Sequence, residues 1–293
     1  MSTVKSLYKA YQSLTKSGIV LFVLVVGLCG YIMGMPAGRG VDLNFLFVFV
    51  FGLYALSAGS LALNQVQEID LDRKMDRTQN RPIVSGVFTR GQAFLISILL
   101  IFVGLAFLAL VNIRSAAAGL LTILLYNAVY TYFWKKKWAF GAVPGAVPGA
   151  LPPVIGYLAH EGANWNDPQL FYLFTLLFLW QMPHFWILAI KLQKDYDKAD
   201  IPVLPLKVGN EQTKFHMGMY LFCYLGLAFM APLFVFSGVI ATAVIWSFVF
   251  LVLVMFVRYI KKEEKWLLFF LSLNFSILVF SLVPAISVMK YYF

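Results

Sequence analysis

Apolar stretches of about 20 residues recur along almost the whole chain, separated by short polar turns and by two longer, charged segments. A hydrocarbon core ~30 Å thick takes roughly 20 apolar residues to cross as a helix. The pattern therefore predicts about nine spans, near 18–35, 44–63, 93–112, 116–134, 139–158, 169–190, 217–238, 239–258 and 266–288. Lipid offers the backbone no hydrogen-bond partners, so each span must satisfy its own as a helix. An all-α, polytopic membrane protein follows, with its helices around a central cavity.

Composition agrees with this pattern: 61% of the 293 residues are hydrophobic, 12% are charged, and the mean hydropathy is +0.81, well outside the range of a soluble domain. The net charge of +10 is unevenly spread. Twenty of the 23 Lys and Arg residues lie in the N-terminal segment and the connections 64–92, 135–138, 191–216 and 258–265, leaving Arg39, Arg114 and Lys290 for the other side. By the positive-inside rule the N-terminus and both long loops are cytoplasmic and the C-terminus is outside. This asymmetry accounts for the basic charge, so no nucleic-acid partner is expected. Neither a cleavable signal nor an Arg-rich presequence precedes the first span, and the inner (plasma) membrane of a bacterium is the expected location. Cys29 and Cys223 stand singly in apolar spans, which suits packing. The whole chain, 1–293, reads as one transmembrane domain with its chemistry in loops 64–92 and 191–216, where polar residues sit on a rigid scaffold.

The first loop contains NQVQEIDLDRKMDRTQNRP, from Asn64 to Pro82. Asn64, Glu68, Asp72 and Asp76 are four apart and would form one stripe if the second span continued as a helix past the membrane surface. Like charges at that spacing repel, and a divalent cation would remove the repulsion. Magnesium favours one or two carboxylates with water and phosphate oxygens in the remaining positions. Arg73, Lys74, Arg77 and Arg81 then offer donors to the phosphate oxygens, while Asp70 points away from the stripe. A solvated, salt-bridged helix end is the alternative on spacing alone.

The second loop follows the sixth span and places Lys191, Lys194, Asp195, Asp197 and Asp200 before Ile201-Pro202. Two opposed charged clusters on one side can clamp a diphosphate and stabilise the charge of a leaving group. Within the sixth span, His184 follows Pro183, and an intramembrane histidine is a functional candidate by default. Trp180, Phe185, Trp186, Tyr126 and Tyr130 could surround a cavity whose aromatic faces attract cations, although packing serves any one of them equally well. The run GAVPGAVPGALPP, Gly141 to Pro153, is rich in small residues and proline. It predicts a kinked or broken fifth span beside the cavity.

These residues resemble the UbiA superfamily of intramembrane prenyltransferases. The resemblance rests on Asn64, Glu68 and Asp72 followed by RT..NRP, and on DLDRKMDRT, Tyr130-Thr131 with a basic turn, GALPPVIGY (Gly149–Tyr157) and WQMPHFW...DY..A.IPVLP (Trp180–Pro205). It covers roughly residues 64–205 and is closer to the branch that farnesylates haem. It implies nine helices around a cavity, with magnesium held by Glu68, Asp72 and Asp195 and supported by Asp76 and Asp200. It further implies that Asn64, Arg73, Lys74, Arg77, Arg81, Lys191 and Lys194 hold farnesyl diphosphate, and that haem B lies near His184, Trp180 and Tyr130. Haem A synthase or a terminal oxidase would be the assembly partners. A vinyl nucleophile needs no general base, in keeping with spans whose interiors lack charged residues. Two departures stand out: Glu68 replaces the usual Asp, and Ala139–Gly149 differs from the usual stretch before the Gly-Ala-Leu-Pro-Pro turn. A UbiA-type enzyme acting on an aromatic quinone precursor and a transporter of neutral solutes are the competing readings.

Overall fold

The computed structural model describes residues 2–38, 40–235 and 238–292, which are helical with no strand among them. In chain order the helices are α1 (Ser2–Leu14), α2 (Ser17–Met33), α3 (Leu43–Gln67), α4 (Ile69–Asp72), α5 (Arg90–Val111), α6 (Ile113–Ile123), α7 (Lys135–Lys137), α8 (Ala142–Gly149), α9 (Pro152–Tyr157), α10 (Pro168–Lys191), α11 (Gln193–Lys198), α12 (Leu204–Phe229), α13 (Ala231–Phe234), α14 (Val239–Lys261) and α15 (Trp266–Tyr292). A π-helical stretch, Leu124–Trp134, joins α6 to α7 in one continuous run.

Six helices among the described residues are long and apolar enough to cross a membrane: α3, α5, the run 113–137, α10, α14 and the run 263–289. The pair 5–14 and 17–33, bent by 57°, makes a seventh. Nine is not reached on that measure, and two expected spans account for the difference. The proline-rich segment 139–158 divides into the short helices α8 and α9, because Pro148, Pro152 and Pro153 lack the N–H groups that would carry one ladder through. The segment 217–238 is the second half of α12, whose first turns are set off by a kink at Gly209 (φ 80°); it continues into α13, and residues 236 and 237 lie outside the described residues. Arg39 and the Lys290 side chain also lie outside them. Arg114, the third basic residue assigned to that side, donates to the carbonyls of Ala163 (2.7 Å) and His160 (3.1 Å).

Local sequence explains the helix starts. Asp42 accepts from the amides of Asn44 and Phe45 to cap α3, Thr89 and Gln92 form a reciprocal capping box on α5, and Asn112 caps α6. Without a hydrophobic driving force between helices in lipid, close packing depends on small residues. A Cβ on Gly30 would fall 2.0 Å from the Pro153 carbonyl oxygen, and one on Gly156 would fall 2.0 Å from that of Gly27, so α2 and the broken span α9 touch backbone to backbone. Every residue of α9 is buried. The predicted break is therefore present, but it lies inside the packed bundle. Cys29 is buried and Cys223 exposed on its helix.

This packing brings the end of α3, the π-helical run to α7, and the α10–α11 junction together at one end of the molecule. The candidate site lies there.

Candidate active site

The stripe begins as the spacing predicts. α3 ends at Gln67, yet the amide of Glu68 still donates to Asn64 O (3.0 Å) and that of Asp72 to Glu68 O (2.8 Å), so one rotational register carries through α4. Asn64, Glu68 and Asp72 are all buried, with Glu68 3% and Asp72 1% exposed. The register then stops: Met75 is extended (φ −99°, ψ 128°), and Asp76 swings out to solvent, where it accepts from Lys198 (2.6 Å). Asp76 is thus not on the stripe, because the chain leaves its helical path one residue before it.

Each buried polar group has a counterpart. Asn64 donates to Thr131 Oγ1 (3.3 Å) and accepts from Lys16 Nζ (3.0 Å). Glu68 accepts from Lys135 (2.5 Å), and Asp72 Oδ2 from Arg81 (2.5 Å). Burial pushes the Glu68 carboxyl up, but Lys135, Lys16 and Arg81 outweigh it and hold the group below the usual carboxylate range. At Asp72 burial prevails over Arg81, with Glu68 adding repulsion, and the carboxyl is raised.

The second loop closes over the first. Asp195, which is buried, accepts the Asp76 amide at Oδ1 (3.2 Å) and lies 3.7 Å from Arg77 Nε. The Arg77 guanidinium also lies 5.4 Å from the Tyr196 ring centre. Lys74 pairs with Asp200 (3.2 Å), an exposed residue with a left-handed backbone (φ 55°). Met75, Ala199 and Ile201 bury one another beneath these pairs. Five predicted residues, Lys74, Asp76, Arg77, Asp195 and Asp200, therefore meet across the two loops.

Others do not join them. Arg73 turns outward to Asp70 (3.5 Å). Lys191 lies 5.2 Å over the Trp266 ring, on the face of α10 turned to α15, and Lys194 is exposed without a contact in the cluster. The reason is Leu192, whose φ of −110° ends α10 and breaks the four-residue register between Lys191 and Asp195. Deeper in α10, Trp180 donates to Leu273 O (3.0 Å) and lies 5.2 Å from Phe22. His184 sits between Trp180 (4.6 Å) and Phe270 (5.2 Å), with its Nδ1 buried and unpartnered. The Tyr130 ring is 5.8 Å from Tyr126 and fills the space left by Gly145.

Lys16 and Lys135 are functional neighbours that sequence reasoning missed, because each was counted only as a charge at a membrane boundary. The π-helical stretch carries Lys135 to Glu68. Thr131 Oγ1 donates to Tyr126 O (2.9 Å), five residues back, and Asn127 exchanges hydrogen bonds with Ser60 (2.7 and 3.0 Å) and Gln67 (3.2 and 3.0 Å) on α3. π-Helix is rare and concentrates at functional sites.

The donor chemistry bears on a metal. Asp72 Oδ1 is buried without a partner, a hard oxygen that a cation would satisfy. Among the described residues no three of His, Cys, Asp or Glu gather closely enough to hold an ion alone. One or two carboxylates completed by phosphate oxygens is the arrangement magnesium accepts, so the residues present fit a metal shared with a phosphate-bearing ligand.

The all-helical bundle, with its buried carboxylates and basic partners gathered at one end, is that of an intramembrane prenyltransferase. The model of the UbiA prenyltransferase family matches residues 20–275, and the chain belongs to that family. It is 44% identical to a protoheme IX farnesyltransferase of Bdellovibrio bacteriovorus over 287 residues, 97% of this chain and 98% of the relative. The fold is shared with a digeranylgeranylglyceryl phosphate synthase (TM-score 0.77, 17% identity, 97% of this chain and 99% of the other). It is also shared with a UbiA homologue from Archaeoglobus fulgidus bound to GPP and Mg2+ (TM-score 0.67, 17% identity, 94% and 99%).

Proposed function

We propose that this protein transfers a farnesyl group from farnesyl diphosphate to a vinyl group of haem B, giving haem O and diphosphate, at the cytoplasmic face of a bacterial inner membrane. The observation that carries the reading is the buried stripe Asn64–Glu68–Asp72, followed in the same loop by Arg77, which faces Asp195 of the other loop. The names of the relatives, protoheme IX farnesyltransferases along nearly the full chain, favour haem over a quinone precursor as acceptor. On this reading the whole chain is one domain and the N-terminus is cytoplasmic.

Glu68 and Asp72 from one loop and Asp195 from the other would each offer carboxylate oxygens to magnesium whose remaining positions the diphosphate fills, with Asp76 and Asp200 supporting from the loop surface. When bound, the metal supplies charge neutralisation to the departing diphosphate. Arg81, released from Asp72, and Arg77, released from Asp195, donate to the phosphate oxygens, and Lys135 does so from Glu68. Lys74 is near enough to join them. Arg73, Lys191 and Lys194 would need to turn inward to take part. The allylic carbon–oxygen bond breaks with its electron pair leaving on diphosphate. The vinyl π pair then forms the new carbon–carbon bond, and water captures the remaining cation and gives up a proton. His184, with its free Nδ1, is the group available to the haem iron or a propionate, and Trp180 and Tyr130 supply aromatic walls.

Competition tests the acceptor. With farnesyl diphosphate, magnesium, haem B and a hydroxylated aromatic acid all present, haem alone is expected to be farnesylated. Prenylation of the aromatic acid alone would transfer the protein to the quinone branch.

A further inference from the structure

An open cleft of about 820 Å³ lies between the bend joining α1 to α2 and the segment 77–81. Its lining includes Gln12, Lys16, Gln65, Arg77, Asn80 and Arg81, and it contains no acidic residue. Arg77 and Arg81 form a shared wall: they pair with Asp195 and Asp72 and also line the cleft.

Lys16 belongs to the cleft in a different way. It occupies the turn between the two bent helices with a left-handed backbone (φ 50°, ψ 53°), a conformation unfavourable for a lysine that persists where the surroundings impose it. Gln65 holds that turn to α3 by donating to Ser13 O (2.7 Å) and Leu14 O (3.0 Å). The Lys16 ammonium accordingly stands at the cleft wall, and its hydrogen-bond acceptor is the neutral amide oxygen of Asn64. The cleft lining is basic and holds no carboxylate, and burial and Arg81 pull the Lys16 amine down to about 7, so an anionic oxygen group that arrives without a metal would stabilise its charged form.

From Lys16 the chain continues into α2, whose first turn completes the cleft lining at Ile19. Phe22 is six residues further on, ~9 Å of helical rise, and stacks on Trp180 beside His184. Along α2 the surroundings thus change from the basic cleft to an aromatic cluster packed inside the bundle. The haem acceptor has the same polarity, with two carboxylates on one edge and vinyl groups on the opposite one.

We propose that the cleft framed by Lys16, Arg77 and Arg81 receives the carboxylates of the porphyrin acceptor, with Lys16 as the residue that reads them. The inference rests on the haem reading above and extends it to how the acceptor is oriented: the charged edge stays at the aqueous end while the vinyl edge reaches in beside the prenyl carbon. A diphosphate or an anionic lipid headgroup shares the same chemistry, and the test separates these sources.

Purified protein in lipid-free detergent is assayed with haem B and with its dimethyl ester, and haem binding is titrated by Soret absorbance without farnesyl diphosphate. For the unaltered protein, KM and the Soret affinity are expected to be about tenfold worse for the ester, the loss of a charge-assisted hydrogen bond. In the Soret titration, which contains no farnesyl diphosphate, Lys16→Ala should impose that penalty on haem B and add little for the ester, and Lys16→Arg should restore haem B binding. Equal handling of acid and ester by the unaltered protein overturns the proposal, and that arm needs no variant to fold. A rise confined to KM for farnesyl diphosphate assigns the cleft to diphosphate, and restoration of Lys16→Ala by anionic lipid assigns it to headgroups; either overturns it. Farnesylation of neither acceptor removes the haem reading itself, and this inference with it.

Discussion

Two buried carboxylates four residues apart are shifted in opposite directions by their surroundings. At Glu68 burial is outweighed by Lys135, Lys16 and Arg81 and the carboxyl is lowered, whereas Asp72 is raised by burial and retains an oxygen without a partner. Removing Lys135 leaves Glu68 as an uncompensated buried charge, whereas neutralising both removes the conflict. Lys135→Met is expected to destabilise the protein by about 3 kcal/mol, and Glu68→Gln/Lys135→Met to recover most of that loss, read as detergent-stable thermal midpoints. Asp72→Asn keeps the shape and removes the charge. Its turnover is expected to fall at least about a hundredfold with the thermal midpoint little changed; full activity would exclude Asp72 from metal binding.

The elements that position these residues are irregular ones. α3 remains in register through Asp72 although Glu68 itself leaves helical geometry, and the π-helical stretch aligns Thr131 with Asn64 and Lys135 with Glu68. Thr131→Val keeps the volume and removes two hydrogen bonds. It should lower kcat/KM for farnesyl diphosphate about tenfold, on the scale of a buried amide left unpaired, while Thr131→Ser stays near the parent value. The stripe was legible because helical periodicity needs only local residues to express it. Its end at Met75 was not, since Asp76 follows the chain outward to meet Lys198 on another loop. Lys191 shows the same limit: it stands four residues before Asp195, the spacing of one helix face, but Leu192 interrupts the helix and Trp266, 75 positions away in the chain, takes the side chain. Hydropathy cannot reveal π-helix, because the stretch is as apolar as its α-helical neighbours. The fifth span was the converse case, since its prolines announce the break directly.

At the scale of the whole molecule, two loops separated by 98 residues close over one end of a bundle whose helices approach backbone to backbone at glycines. Gly156→Leu, placed against Gly27 O, is expected to prevent α2 and α9 from packing and to abolish recovery of folded protein from membranes. Topology has its own test. In a Cys29→Ser/Cys223→Ser background, Thr89→Cys should react with an impermeant maleimide from the cytoplasmic side of vesicles only; reaction from the opposite side would invert the assignment drawn from the basic residues. The measurement that tests the central claim most directly is product mass spectrometry of the purified protein given haem B, farnesyl diphosphate and magnesium. The account predicts haem O that disappears with a chelator and returns when magnesium is restored. Haem B left unmodified under conditions where farnesyl diphosphate is bound would contradict it.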